Sequence, residues 1–197
     1  YWSHDIGGHM NANRIDPELY IRWLQFGALS PILRTHSTKS SALDKEPWAF
    51  DHQHFSIIRN TILERYRMAP YIYTMARRAY DEGLSLCRPL YYEWPENEEA
   101  YQERNSYMFG DQILVSPITQ PTAAGDDWYQ VATGTLLKGG QRVERNFHLD
   151  EYPMYVKAGA VIPMYDKVKN LKSNDEPIVV TVYPGGNGEF SMYEDNG

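Results

Sequence analysis

The chain has 197 residues, 42% hydrophobic and 23% charged, which suits a folded protein of one or two domains rather than a disordered tail. Its 19 Lys and Arg against 26 Asp and Glu leave a net charge of −7, which argues against binding to a nucleic-acid backbone or an anionic membrane surface. No apolar run approaches the roughly 18 residues of a bilayer-spanning helix, and the single cysteine, Cys87, excludes an internal disulfide framework and a cysteine-rich zinc site.

Tyr1 to Ile6 is a short strand candidate that ends in the turn pair Gly7-Gly8. Asp16-Pro17-Glu18 then signals a helix start, with an N-cap acid, proline in the first helical position and another acid in the first turn. Leu19, Tyr20, Trp23, Leu24 and Phe26 carry that helix on one broad apolar face, and Gly27 is the expected stop. Leu29 to Leu33 is a second short apolar run, followed by Arg34-Thr35-His36 and a polar loop over 37–46. A long helical region begins near His52, with Phe55, Ile58, Ile62, Leu63 and Tyr66 at helical spacing. Pro70 predicts a break there into two helices, the second ending at Gly83.

From Cys87 onward helical periodicity disappears. Short β-branched and aromatic runs predict strands at Ile113–Ser116, Trp128–Ala132, Met154–Val156, Ala160–Ile162, Ile178–Tyr183 and Glu189–Tyr193. Gly139-Gly140 and the 184–188 stretch read as hairpin turns. The expected fold is therefore α/β plus β: strand–loop–helix units that close a barrel or an open sheet, then an antiparallel β-sandwich. The chain begins Tyr1-Trp2-Ser3 without a methionine and ends beside an expected strand, which suggests a piece of a longer protein and leaves its cellular location open.

In α/β barrels the functional groups stand where strands end and loops begin. Two clusters meet that description, the stretch His4 to His9 and Arg34-Thr35-His36. Asp5 has glycines beside it that let a ligand approach, but a carboxylate there holds hydroxyls, acts as an acid or base, or caps the next loop. His36 is equally a hydroxyl donor or a satisfied structural histidine, and Arg34 suits a fixed carboxylate partner. His4, Asp5 and His9, or His52 and His54, match no strong zinc spacing, so no metal or cofactor is assigned. Cys87 has no histidine placed by sequence to activate it. The arginines of 59–78 read as a solvated helix face, and Glu96, Glu98, Glu99 and Glu103 as a surface loop. The 14% aromatic content, with 16 Tyr and 5 Trp, lines sugar sites in some proteins and more simply fills cores.

These stretches, in order, resemble the motifs of glycoside hydrolase family 31. They are His-Asp-Ile-Gly-Gly-His at 4–9, Glu-Leu-Tyr-Ile-Arg-Trp-Leu-Gln-Phe-Gly at 18–27, Ser-Pro-Ile-Leu-Arg-Thr-His at 30–36 and Glu-Pro-Trp at 46–48. Arg-Tyr-Arg-Met-Ala-Pro-Tyr-Ile-Tyr at 65–73, Arg-Pro-Leu at 88–90, Phe-Gly-Asp-Gln-Ile-Leu-Val-Ser-Pro at 109–117 and Ala-Gly-Ala-Val-Ile-Pro at 158–163 continue it. The resemblance implies a retaining α-glycosidase acting on α-linked glucosides or xylosides at the non-reducing end. It implies a (β/α)8 barrel whose last units are residues 1–86, a proximal β-sandwich at 87–165 and the start of a distal one at 166–197. Both catalytic aspartates of the family lie upstream of the Asp-Ile-Gly-Gly motif, so no catalytic residue is expected here and the fragment alone is expected to be inactive. Carried over by position, Asp5 lines the floor of the sugar subsite, His36 bonds its hydroxyls and Arg34 braces the pocket. His9 stands near the leaving-group subsite, where many relatives carry an aromatic residue. The implied partners are a neutral α-linked oligosaccharide or glycoside and the missing N-terminal part of the same enzyme. The alternative is a non-catalytic carbohydrate-binding or structural β-sandwich module.

Overall fold

A computed structural model describes residues 1–10, 13–119, 137 and 147–195. Helix α1 spans Pro17–Ala28, with the Asp16 side chain accepting from Leu19 N at 2.9 Å and Pro17 opening the first turn. Tyr20, Ile21, Leu24 and Ala28 form its buried stripe, and Ile58 of helix α2 (His52–Arg67) packs there with Ile6. Asp51 caps α2 through His54 N at 3.0 Å. Helix α3 (Ala69–Glu82) begins one residue past Met68, as Pro70 dictates, and Gly83 closes it in the left-handed region at φ 71°.

Gly27 does not stop α1; the helix runs through it to Ala28. Its hydrogen faces Ile6, where a Cβ would come within 2.3 Å of the Ile6 Cδ1, so packing rather than termination explains the glycine. Tyr1–Ile6 and 29–33 form no strands. Among the described residues, Ile6 N bonds Arg34 O at 3.2 Å, just past the second run, whereas a parallel strand needs neighbours along its length.

Strands β1 (Cys87–Pro89), β2 (Tyr107–Phe109), β3 (Ile113–Val115) and β4 (Met154–Val156) form an antiparallel sheet in that order. Strands β5 (Val161–Tyr165) and β6 (Ile178–Val182) form an antiparallel pair in which Pro163 faces Val180. Ile113 and Val115 point inward while Leu114 between them is half-buried, the two-residue period of a sheet with one covered face. With Phe109 from β2, Ile162 from β5 and Met68, Tyr71 and Met75 around α3, they make one core between the sheets and the helix, an arrangement consistent with a sandwich.

Strands β1 and β2 were not expected: β1 ends in Pro89, and Tyr107-Met108-Phe109 is followed at once by Gly110. The acidic run forms a short helix α4 (Glu98–Gln102), capped by Asn97 through Glu99 N at 2.9 Å, rather than a plain loop. Residues 189–193 are not a strand among the described residues. The expected strand at 128–132 and the turn at 139–140 lie outside the described residues.

The arginines of α2 and α3 divide into two groups, and the solvated reading fails for the first. Arg65 is half-buried and donates to the carbonyls of Ala28, Ser30 and Pro31 at 2.9, 2.6 and 2.8 Å, closing the C-terminal end of α1. Burial pushes its guanidinium down to about 10. Arg77 and Arg78 do meet acids on the surface, Asp81 and Glu82. On α1, buried Arg22 donates to Phe147 O at 2.8 Å, His148 O at 3.0 Å and Glu151 O at 2.6 Å, and Gln25 to Leu149 O at 2.7 Å. These bonds tie the helix to the segment entering β4.

Candidate functional site

The turn after Ile6 brings the first cluster into place. Gly8 N bonds Asp5 O at 2.8 Å and Gly7 takes φ 82°, a conformation a side chain would strain. A Cβ on Gly7 would also meet Tyr20 Cδ2 at 2.7 Å. The second cluster is fastened to the first by Thr38 N donating to His9 O at 2.9 Å and by Lys45. Lys45 is 7% exposed, and its Nζ donates to Gly8 O at 2.6 Å and His36 O at 2.8 Å. Tyr20 in turn donates to Lys45 O at 3.0 Å, so α1 supports the crossing of both loops.

The structure brings together all four residues singled out from sequence. Arg34 Nη2 donates to Asp5 Oδ1. His9 Nδ1 lies 2.8 Å from Asp5 Oδ2, though off the line of a good hydrogen bond. The His9 and His36 rings are 5.2 Å apart, and His36 is exposed. Desolvation opposes ionisation of Asp5, but the Arg34 hydrogen bond and charge, with His9 and His36, outweigh it and hold the carboxyl below its ordinary value. One ligand atom each from Asp5, His9 and His36 lie within 4.8 Å of one another. The result is a fixed carboxylate with two neighbouring imidazoles, able to accept from and donate to hydroxyl groups.

His4 takes no part. Its Nδ1 accepts from Trp23 Nε1 at 2.7 Å, its Nε2 is 3.4 Å from Ser30 Oγ, and its ring stacks on Phe26 at 4.8 Å. Engaged there, His4 does not join Asp5 and His9 in a zinc grouping. His54 is occupied with Asp51 at 2.6 Å at the start of α2. Burial pushes the Cys87 thiol up to about 12, far from the thiolate a nucleophile needs. Lys45 was missed. A lone lysine between Asp44 and Glu46 in a polar loop carries no signal of burial.

A groove of about 1170 Å³ lies elsewhere, between α1 and the sheet. Trp2, Trp23, Phe26, Tyr91 and Tyr101 line it, and Asp5, His9 and His36 do not. A smaller cleft of about 450 Å³ is lined by Thr35, Ser37, Thr38 and Lys45 beside the cluster.

Against known proteins, the model described as the glycosyl hydrolases family 31 TIM-barrel domain matches residues 1–75, and that of the family 31 C-terminal domain matches residues 83–162. Two successive parts of one enzyme family thus cover most of the chain, and the chain belongs to glycoside hydrolase family 31. The α-xylosidase of Saccharolobus solfataricus is 36% identical over 209 residues, covering 100% of this chain and 28% of that protein. A family 31 dextranase of Flavobacterium johnsoniae, solved with glucose, superposes with a TM-score of 0.85 at 31% identity over 98% of this chain and 25% of its own. The cycloalternan-forming enzyme of Listeria monocytogenes, solved with a pentasaccharide substrate, gives a TM-score of 0.88 at 30% identity, covering 98% and 20%. The chain therefore spans about a quarter of the length of these relatives.

Proposed function

We propose that this chain is the part of a retaining α-glycosidase that holds the sugar at the non-reducing end of an α-linked glucoside or xyloside. Asp5 accepts from ring hydroxyls, His36 bonds a neighbouring hydroxyl, Arg34 keeps the carboxylate ionised and aimed, and His9 borders the leaving-group side. Residues 1–86 act as the closing part of the barrel, 87–165 as the proximal sandwich and 166–197 as the start of the distal one. The observation that carries this reading is the Asp5 carboxylate held by Arg34 on one oxygen and facing imidazole on the other. The groups acting on its charge are Arg34, His9 and His36, none a carboxylate. A retaining pair stands about 5–5.5 Å apart, and in this reading both of its carboxylates belong to other residues of the enzyme.

Saturation-transfer NMR with glucose and xylose on the 197-residue chain tests the reading. Saturable transfer that Asp5→Asn and His36→Ala abolish is the expected result. Hydrolysis of an aryl α-glucoside by the purified chain, with contaminating enzyme excluded, would refute it.

A second reading has its own observation. Tyr91 and Tyr101 stack at 5.0 Å with 7° between planes on the wall of the large groove, a flat face of the kind that sugar rings cover. Sugar binding that survives Asp5→Asn and is lost with Tyr101→Ala would favour a carbohydrate-binding module instead.

A further inference from the structure

Asp5 stands between two residues that are anchored on α1, while its own carboxylate meets Arg34 and His9. On one side Ile6 is fully buried and packs with Tyr20, Ile21, Leu24 and Ile58. On the other, the His4 ring stacks on Phe26 with 4.8 Å between centroids and 8° between planes. Ile6 N donates to His4 O at 3.1 Å, which makes Asp5 the middle residue of a three-residue turn. The aim of the Asp5 side chain is therefore set by where its two neighbours are held. We propose that His4 is a positioning residue for the sugar subsite: its neutral ring, clasped between Trp23 and Ser30, holds Asp5 in place without touching the sugar. This role rests on the reading of Asp5 as the carboxylate that accepts from sugar hydroxyls.

The contacts fix where the ring carries its proton. Trp23 Nε1 can only donate, so the His4 Nδ1 that faces it at 2.7 Å is the bare nitrogen. Ser30 donates its hydroxyl proton to Phe26 O at 2.9 Å, which leaves its Oγ to accept from His4 Nε2 at 3.4 Å. Both neighbours thus select the neutral ring with its proton on Nε2, and a second proton would set two donors head-on at Trp23. Burial acts in the same direction and lowers the His4 pKa against the opposing charge of Asp5.

Stacking alone would not call for a histidine. An apolar side chain also packs on Phe26, but it removes the acceptor of the Trp23 indole N–H, and a donor left without a partner is costly. The clasp reaches the site through the backbone: His4 is one residue from Asp5, and Trp23, Phe26 and Ser30 all belong to α1 or the turn that ends it. A carboxylate that must meet hydroxyl groups at hydrogen-bond distance depends on such support, because a small misplacement loses the bond.

Nitrogen NMR of the histidine rings in the unsubstituted 197-residue chain tests the clasp without any variant, and His4 should show a bare Nδ1 and a protonated Nε2. Two substitutions then separate aiming from packing. His4→Asn places its Oδ1 near the position of Nδ1 and still accepts from Trp23, whereas His4→Leu cannot. In His4→Leu the Asp5 carboxyl should titrate closer to its ordinary 3.8 as its contact with Arg34 loosens, and the His9 ring signals should move. Glucose affinity should fall roughly tenfold in the same variant, and His4→Asn should stay near the unsubstituted chain in all three readouts. If His4→Leu does not fold, Trp23→Phe removes the same bond from the α1 side and should loosen Asp5 likewise. Absence of glucose binding by the unsubstituted chain would count against the sugar reading, while the Asp5 titration still decides whether His4 aims that carboxylate. A proton on Nδ1, or a folded His4→Leu chain with unchanged Asp5 and His9 signals, would overturn the proposal, as would equal effects of the leucine and asparagine substitutions.

Discussion

Replacing Lys45 with methionine keeps the aliphatic stem and removes the ammonium that joins the two site loops. Two charge-assisted hydrogen bonds, at 2.6 and 2.8 Å, are lost, each contributing about 1.5–3 kcal/mol. Against that stands the cost of desolvating the ammonium, which burial expresses as a lowered Lys45 pKa, partly offset by the charge of Asp5. The Gly8 and His36 carbonyls sit on half-buried and exposed residues, so water reaches them in part after the change. The net loss should be about 1–3 kcal/mol, a fall in melting temperature of about 3–10 °C for a chain of this size. Thermal unfolding followed by circular dichroism measures it, and the same samples give the second readout. Loops no longer joined should let the His9 and His36 rings separate, which lowers sugar affinity. Lys45→Arg retains the charge and should recover part of both. If Lys45→Met melts within about one degree of the unsubstituted chain, the lysine is not the fastening inferred here.

Three further outcomes follow from particular contacts. Cys87 should react with a disulfide reagent at pH 8 roughly a thousandfold more slowly in the folded chain than after unfolding, because a thiol near 12 supplies little thiolate. Asp5 is held below its ordinary value of 3.8, so the unfolded chain takes up the proton first as pH falls. The stability from its pairing is therefore complete above about pH 5, shrinks as pH drops below 3.8 and is gone below the folded pKa. Acid titration of unfolding should thus show a shallower fall for Asp5→Asn. Gly27→Ala gains about 1 kcal/mol of helix propensity but forces a Cβ onto Ile6 Cδ1, so it should not stabilise the chain; in an Ile6→Val background, which removes that atom, the same change should. Urea unfolding of the unsubstituted chain, the two single variants and the double variant closes that cycle.

Local chemistry alone determined the helices of this chain. Asp16-Pro17, Asp51, Pro70 and Gly83 act within a turn or two of themselves, so their capping and breaking effects are written where they occur. The β-branched and aromatic runs at 113–115, 154–156 and 178–182 were legible for the same reason, and Asp5, Arg34 and His36 stood out through the ordered motifs. Tertiary structure decided the rest. Strands β1 and β2 are three residues each and exist because β3 pairs with β2 and β2 with β1. The stretch at 1–6 carries strand-like residues but finds one backbone partner in Arg34, and a ladder cannot form from one side of one bond. Gly27 looks like a stop until Ile6 is seen against it, and Arg65 looks solvated until three carbonyls converge on its guanidinium. Lys45 is the plainest case. A lysine in a polar loop has the composition of a surface residue, and only the crossing of two distant loops over it turns its charge inward.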